Sequence, residues 1–481
     1  MVQKQFFITK DTQMNEKKNI LFIVLDSLRA DHLSCYGYPY VTTPFIDDFA
    51  KDSCLFQQAI APKYETVGVH ASWFTGLYSS EHGVYNRKTR LSSSLNLLPV
   101  LIRLHGYQTA GFSNNPFVGA LHGMNEGFDT FYEAPTFDAV WRTGLKDRII
   151  NKGLSIFNVK NNDNIIKRRA ERTVGKIINW FENTFLEKSS KPFFIFTNFM
   201  DTHYPHFPPR DFIKKFVKTS VSDEEMKSIN KDPIRVVSGK EKMTHDDYAL
   251  LIKLYDADIA YTDSQLKTLF KYMKKRKLLD NTIVIITSDH GDQFGENGLY
   301  GHMLSLSDVL IRVPLIISHP DLVGKEMGEQ VGTINLFHTI LNHCGIDSAA
   351  YSNGRTGYDL LDKNSFTEAG PYAFSEQEKW EMPVFANVSA NTAKKCVRTV
   401  SYKYIEIEGD SPQFFNLKND PKENHSIINQ KDDYIQDLKA ALSNWENNLL
   451  SFKKETGTQA AHGYTKENNM ISERLKELGY L

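Results

Sequence analysis

Two apolar runs, each ending in an acidic side chain, constrain this chain more than anything else in it. Asn19–Leu25 (NILFIVL) releases Asp26, and Asn281–Thr287 (NTIVIIT) releases Ser288-Asp289-His290-Gly291. Ile283-Val284-Ile285-Ile286 is β-branched throughout and has no polar alternation, so it reads as a strand buried on both faces, as in a parallel sheet covered by helices. This predicts an α/β fold. The polar residues that follow such strands emerge at the carboxyl edge of the sheet, where open α/β sheets bind ligands.

Carboxylate oxygens and an imidazole suit a divalent cation, Mg, Mn, Ca or Zn, and the absence of a nearby Cys argues against a closed structural zinc site. Taken alone, Ser288-Asp289-His290-Gly291 is read slightly more readily as a helix cap beside a neutral surface histidine. Between the two strands, Ala61–Tyr78 reads as a loop running into a helix that ends near Gly76. Thr66 falls at the start of that helix, where backbone N–H groups and the helix dipole favour an anion; there its oxygen could act as a nucleophile, or it could be a helix cap only.

The chain resembles the sulfatase branch of the alkaline phosphatase superfamily through residues spread over nearly its whole length. The family's "S-x-x-T-G-x-Y-x-x-x-H-G-V" is met by Ser72-Trp73-Phe74-Thr75-Gly76-Leu77-Tyr78-Ser79-Ser80-Glu81-His82-Gly83-Val84, and its "T-S-D-H-G" by Thr287–Gly291. Leu104–Ala110, Asp256–Asp263, Arg312–Ile317 and Phe415–Glu423 continue the match in order. The resemblance implies a three-layer α/β sandwich with a large, mixed, mostly parallel sheet and a small C-terminal α+β subdomain. It also implies a cation held by Asp26, Thr66, Asp289 and His290, with one site favoured and a second left open.

Where the chain departs from the family, it departs at the chemistry. The family's Cys or Ser in "C/S-x-P-S-R", the source of formylglycine, is replaced by Thr66, and the Arg by His70. Threonine cannot yield the formylglycine aldehyde. Ser27 replaces the second Asp of the usual pair, Ser113-Asn114-Asn115-Pro116 replaces "G-K-W-H", and His302 stands where a Lys often follows "D-H-G". These changes resemble the superfamily's Thr-dependent phosphodiesterases, phosphonate hydrolases and headgroup transferases. They predict in-line attack of Thr66 on a phospho- or sulfo-ester, with a phosphodiester or phosphonate favoured. A sulfatase working without formylglycine and a silent sulfatase-like binding protein are the alternatives.

The resemblance also suggests His203 as general acid, with His206 a second choice in the same loop and His302 an ester contact or a ligand of a second cation with Asp201 and His203. The Asn114 amide could donate to the transferred group or simply close a turn. His70, one helical turn beyond Thr66, could orient the nucleophile or the substrate, or lie in the core.

A net charge of −1 gives no electrostatic footprint for nucleic acid. No apolar stretch reaches the ~18 residues of a membrane span, and Met1–Lys18 has no apolar signal region. Four scattered cysteines read as reduced thiols. A cytoplasmic protein acting on a small-molecule, carbohydrate or lipid-headgroup ester is therefore expected, with homo-oligomer contacts left open. The expected organisation is a disordered tail over 1–17, a catalytic domain over 18–364 and a C-terminal subdomain over 365–481. Helices are expected at Thr43–Lys51, Leu95–His105, Arg168–Leu186, Asp246–Lys275 and Lys431–Leu450, with irregular stretches over Pro135–Arg172 and Arg210–Lys242.

Overall fold

The computed structural model describes residues 17–85, 89–133, 169–187, 189–355, 357–362, 364–365, 370–429 and 433–456. In chain order the strands are β1 (Asn19–Leu25), β2 (Cys54–Ile60), β3 (Gln108–Ser113), β4 (Thr130–Glu133), β5 (Phe193–Phe199) and β6 (Thr282–Thr287). A hairpin of β7 (Gln293–Phe294) and β8 (Tyr300–Gly301) follows, then β9 (Arg312–Ser318) and β10 (Glu326–Gly332). The large sheet has eight strands in the order β10-β2-β9-β6-β1-β5-β3-β4. Only β9 runs against the rest, since it pairs antiparallel with both β2 and β6 while the other pairings are parallel.

The period-two geometry of a strand explains why β1 and β6 carry no polar alternation. Ile20, Phe22 and Val24 join Ile283 and Ile285 in the core on one face, while Leu21, Ile23 and Leu25 join Val284 and Ile286 in the core on the other. The helices Thr66–Thr75 and Leu336–His343 cover the first face, and Arg169–Trp180 and the 31-residue helix His245–Lys275 cover the second. The molecule is thus an α/β sandwich with a large, mostly parallel sheet between two helical layers.

A second, antiparallel sheet follows, β11 (Ala373–Gln377), β12 (Lys394–Arg398), β13 (Tyr402–Ile407) and β14 (Gln413–Asn416), in sequence order. One face meets the helix Asp433–Thr456 through Val397, Tyr404 and Phe414 against Leu438, Leu442 and Trp445. The other face, with Cys396, Ile405 and Phe415, packs on Ile60 and Tyr64 beside the loop that leads into the helix Thr66–Thr75. Beneath lies a buried ionic cluster. Asp308 takes Arg398 Nη2 at 2.7 Å and Lys403 Nζ at 3.1 Å, and Lys403 also meets Glu423 Oε1 at 2.8 Å.

The expected helices are present with bounds shifted by a few residues: Pro44–Ala50, Leu98–Leu104, Arg169–Trp180, His245–Lys275 and Asp433–Thr456. Arg210–Lys242 is a correction, because it holds three short helices, Arg210–Phe216, Asp223–Ile229 and Pro233–Val237. Caps from Ser222 and Asp232 start the latter two, a local signal outweighed by the charge density of the segment. Residues 1–16 of the expected tail and most of Pro135–Arg172 lie outside the described residues. Among the described residues, no helix is long and apolar enough to cross a membrane, and all four cysteines are free.

Candidate active site

Parallel register brings the ends of β1, β6, β5 and β3 to one edge. Val24 pairs with Asn198 and with Thr287, and Ser113 pairs with Asn198. Asp26, Ser288-Asp289-His290 and Asn114-Asn115 therefore emerge side by side. Asp26, Asp289 and His290 are buried and each offers a ligand atom within 4.8 Å of the others, a group that could hold a metal ion.

The turn after β1 is shaped by Ser27, whose backbone sits in the left-handed region at φ 60°. That conformation costs a non-glycine residue about 1–2 kcal/mol, and it aims the Ser27 N–H at Asp289 Oδ1, 3.2 Å away. The Ser27 hydroxyl donates to Asp26 Oδ1 at 3.2 Å. Asn115 Nδ2 at 2.7 Å and Asn198 Nδ2 at 3.2 Å both donate to Asp26 Oδ2. Thr202 fixes the Asp26 carbonyl at 2.6 Å. The three amide and hydroxyl donors leave Asp26 little rotational freedom.

Burial would raise the Asp26 carboxyl, but His203, His290 and the Asn115 hydrogen bond outweigh it and hold that carboxyl below the ordinary range. Asp289 goes the other way: burial and then the Asp26 charge push it well above the carboxylate range. Two buried carboxyls that cannot share negative charge form a site that a cation would relieve. Asp289 Oδ2 is also buried without a hydrogen-bond partner among the described residues. Oxygen donors with one imidazole fit Mg, Mn, Ca or Zn.

His290 Nδ1 donates to the Gly291 carbonyl at 2.8 Å, so its Nε2 lone pair faces Thr66 Oγ1 at 3.2 Å and Asp289 Oδ2 at 3.4 Å. Thr66 is the first residue of its helix, and Glu65, not Thr66, occupies the cap position. The helix stops at Gly76, whose φ of 71° ends it in a left-handed turn. His70 Nδ1 donates to the Thr66 carbonyl at 2.8 Å, and burial lowers its pKa to about 4, which keeps it neutral. His70 lies 3.8 Å from Asp289 Oδ2 and packs on Trp73 and Phe196, so it joins the helix that begins at Thr66 to both the site and the core.

His203 is buried, and its Nδ1 donates to the Tyr204 carbonyl. Burial lowers its pKa, while Asp26 and Asp292 act to raise it. His203 and His302 meet with ring centroids 4.9 Å apart, and His302 stacks on His290 at 4.4 Å. His206 is set apart from this group: its Nδ1 meets Asp258 Oδ2 at 3.1 Å and its ring packs on Tyr255 and Phe294. The Asn114 carbonyl accepts from Thr173 at 2.9 Å, while its buried amide nitrogen has no partner among the described residues.

Sequence reasoning missed Asn115, Asn198 and Asp292. The two amides hold Asp26, and Asp292 is fully buried with its pKa pushed up to about 7 by burial. Their position at or just past the ends of β3, β5 and β6 was the available signal.

Residues 18–346 match the profile of the family described as "Sulfatase", and residues 295–448 match "N-sulphoglucosamine sulphohydrolase, C-terminal". Among curated relatives, an ulvan-active sulfatase of Formosa agariphila is 26% identical over 86% of this chain and 77% of its own length. Arylsulfatase K of Mus musculus is 23% identical over 95% of this chain and 83% of its own. Similar solved structures include a phosphonate monoester hydrolase of Agrobacterium radiobacter, with TM-score 0.65, 20% identity and coverage of 91% and 96% of the two chains. Another was determined with its substrate D-glucosamine-2-N,6-O-disulfate, with TM-score 0.66, 18% identity and coverage of 91% and 99%.

Proposed function

We propose that this chain, which belongs to the sulfatase family, is a cation-dependent ester hydrolase or transferase that uses Thr66 as its nucleophile in place of formylglycine. The observation that carries the reading is the Thr66 hydroxyl, 3.2 Å from His290 Nε2 at a helix N-terminus. A divalent cation held by Asp26, Asp289, His290 and Thr66 would polarise the ester and favour the deprotonated hydroxyl. In this reading Thr66 Oγ1 forms a bond to phosphorus or sulfur as the bond to the leaving oxygen breaks. The Thr66 proton passes to solvent, and His203, whose Nδ1 proton is held by the Tyr204 carbonyl, takes a proton from solvent at Nε2 and delivers it to the departing oxygen.

Threonine has no route to expel the group by forming an aldehyde, so water or an acceptor alcohol must release it from Thr66. This requirement favours a phosphodiester or phosphonate. A sulfate ester is the second reading, supported by the names of the curated relatives. The substrate class is a small-molecule, carbohydrate or lipid-headgroup ester. One cation is favoured, because Asp201 contacts the Ala170 backbone N–H at 3.2 Å and, among the described residues, the carboxylates that cluster with an imidazole are Asp26 and Asp289.

Turnover of matched aryl phosphodiester, phosphonate monoester, phosphomonoester and sulfate substrates, with each cation restored after chelation, tests this. Hydrolysis of a diester or phosphonate that fails in Thr66→Ala is expected. Sulfate turnover alone would favour the second reading, and no turnover with any cation would favour a binding protein.

A further inference from the structure

Asp292 has no task in the reaction above, yet its environment calls for one. It is fully buried, and neither carboxylate oxygen has a hydrogen-bond partner among the described residues. A buried carboxylate without donors is unfavourable unless something nearby offsets it. His203, His290 and Arg29 act on it through charge, and the fold places a further imidazole beside it. Gln293 pairs with Gly301 in the β7–β8 hairpin, so the antiparallel register sets residue 292 opposite residue 302. The Gln293 amide then donates to the carbonyls of Gly301 and Met303, each at 3.0 Å, and clamps the backbone on both sides of His302. In this arrangement His302 Nδ1 lies 3.4 Å from Asp292 Oδ1.

We propose that Asp292 is a positioning residue for His302: it accepts the Nδ1 proton and so fixes the ring plane in which the imidazole, protonated on both nitrogens, presents Nε2–H to the anion of the ester. The ring of His302 lies flat on His290, interplanar angle 26°, and edge-on to His203, so an imidazole held in that plane borders both the Thr66 side and the His203 side of the site. A carboxylate–imidazole pair has an orientation that a lone flexible ammonium would lack. The inference rests on the reading of this site as an ester site.

Binding of inorganic phosphate to the cation-loaded full chain, measured by calorimetry, tests the assignment through the variants Asp292→Asn, His302→Gln and their combination. Each single variant is expected to weaken phosphate by about tenfold, the scale of one charge-assisted hydrogen bond. The double variant is expected to be no weaker than His302→Gln alone, with cation content unchanged in all three. Additive losses, an Asp292→Asn variant that binds phosphate normally, loss of the cation in that variant, or no phosphate binding by the wild type would each overturn the proposal. Failure of the Thr66 reading is distinguishable: turnover would then survive Thr66→Ala whatever the phosphate cycle returned.

Discussion

Asp26 is the residue on which the site depends most, because it is the carboxylate held ionised while its neighbour is pushed toward the protonated form. Its orientation is set by donors, and Asn115 gives the shortest of them at 2.7 Å. Removing a partner that orients a ligand typically costs about 10–100-fold in metal affinity, so Asn115→Ala should weaken Mn or Ca binding by that order in a chelator competition. Unchanged affinity would mean that Ser27 and Asn198 suffice. Gly291 is constrained differently. A Cβ there would lie 1.9 Å from the Val309 carbonyl oxygen, which is backbone and cannot swing aside. Gly291→Ala should therefore displace the 289–291 turn, lowering both thermal stability and cation content. A folded variant with full cation content would contradict the packing described here. The convergence of Asp26, Asp289 and His290 was legible in the sequence because acidic and imidazole groups directly after buried strands carry recognisable chemistry, whereas Thr66, at a helix start, stood out only through the resemblance to the family. Asn115 and Asn198 were not, since an amide at a turn is ordinary and only the register of β3, β5 and β1 shows what it touches.

At the scale of elements, the buried strands and the long helix were readable because their apolar pattern is continuous over many residues. The helices of Arg210–Lys242 escaped because they are only 7, 7 and 5 residues long, too short for periodicity to detect. Nor did the sequence reveal how the C-terminal sheet braces the loop before Thr66. Ser375 Oγ donates to the Ala61 carbonyl, the Glu376 N–H to the Pro62 carbonyl, and Trp380 Nε1 to Tyr64 Oη at 2.6 Å. These contacts join residues about three hundred positions apart. The ionic cluster beneath supports the same junction. Lys403 is fully buried, and replacing it with Met would leave Asp308 and Glu423 facing each other without their shared cation. Breaking a buried pair this way costs about 3–5 kcal/mol. Lys403→Met should lower the denaturation midpoint accordingly, and a change below the error of the measurement would show the cluster to be dispensable.

For the molecule as a whole, the large sheet fixes the site by gathering the ends of four strands, and the second sheet holds the loop that carries Thr66 against them. The chain belongs to the sulfatase family, and the nucleophile proposed for it is Thr66. Acid quenching of the cation-loaded protein during turnover, followed by peptide mass spectrometry, tests that central claim most directly. The account predicts a phosphoryl, phosphonyl or sulfuryl adduct on the peptide containing Thr66, absent from Thr66→Ala, which does not turn over. Turnover that persists in Thr66→Ala, or an adduct trapped on a different side chain, would contradict it.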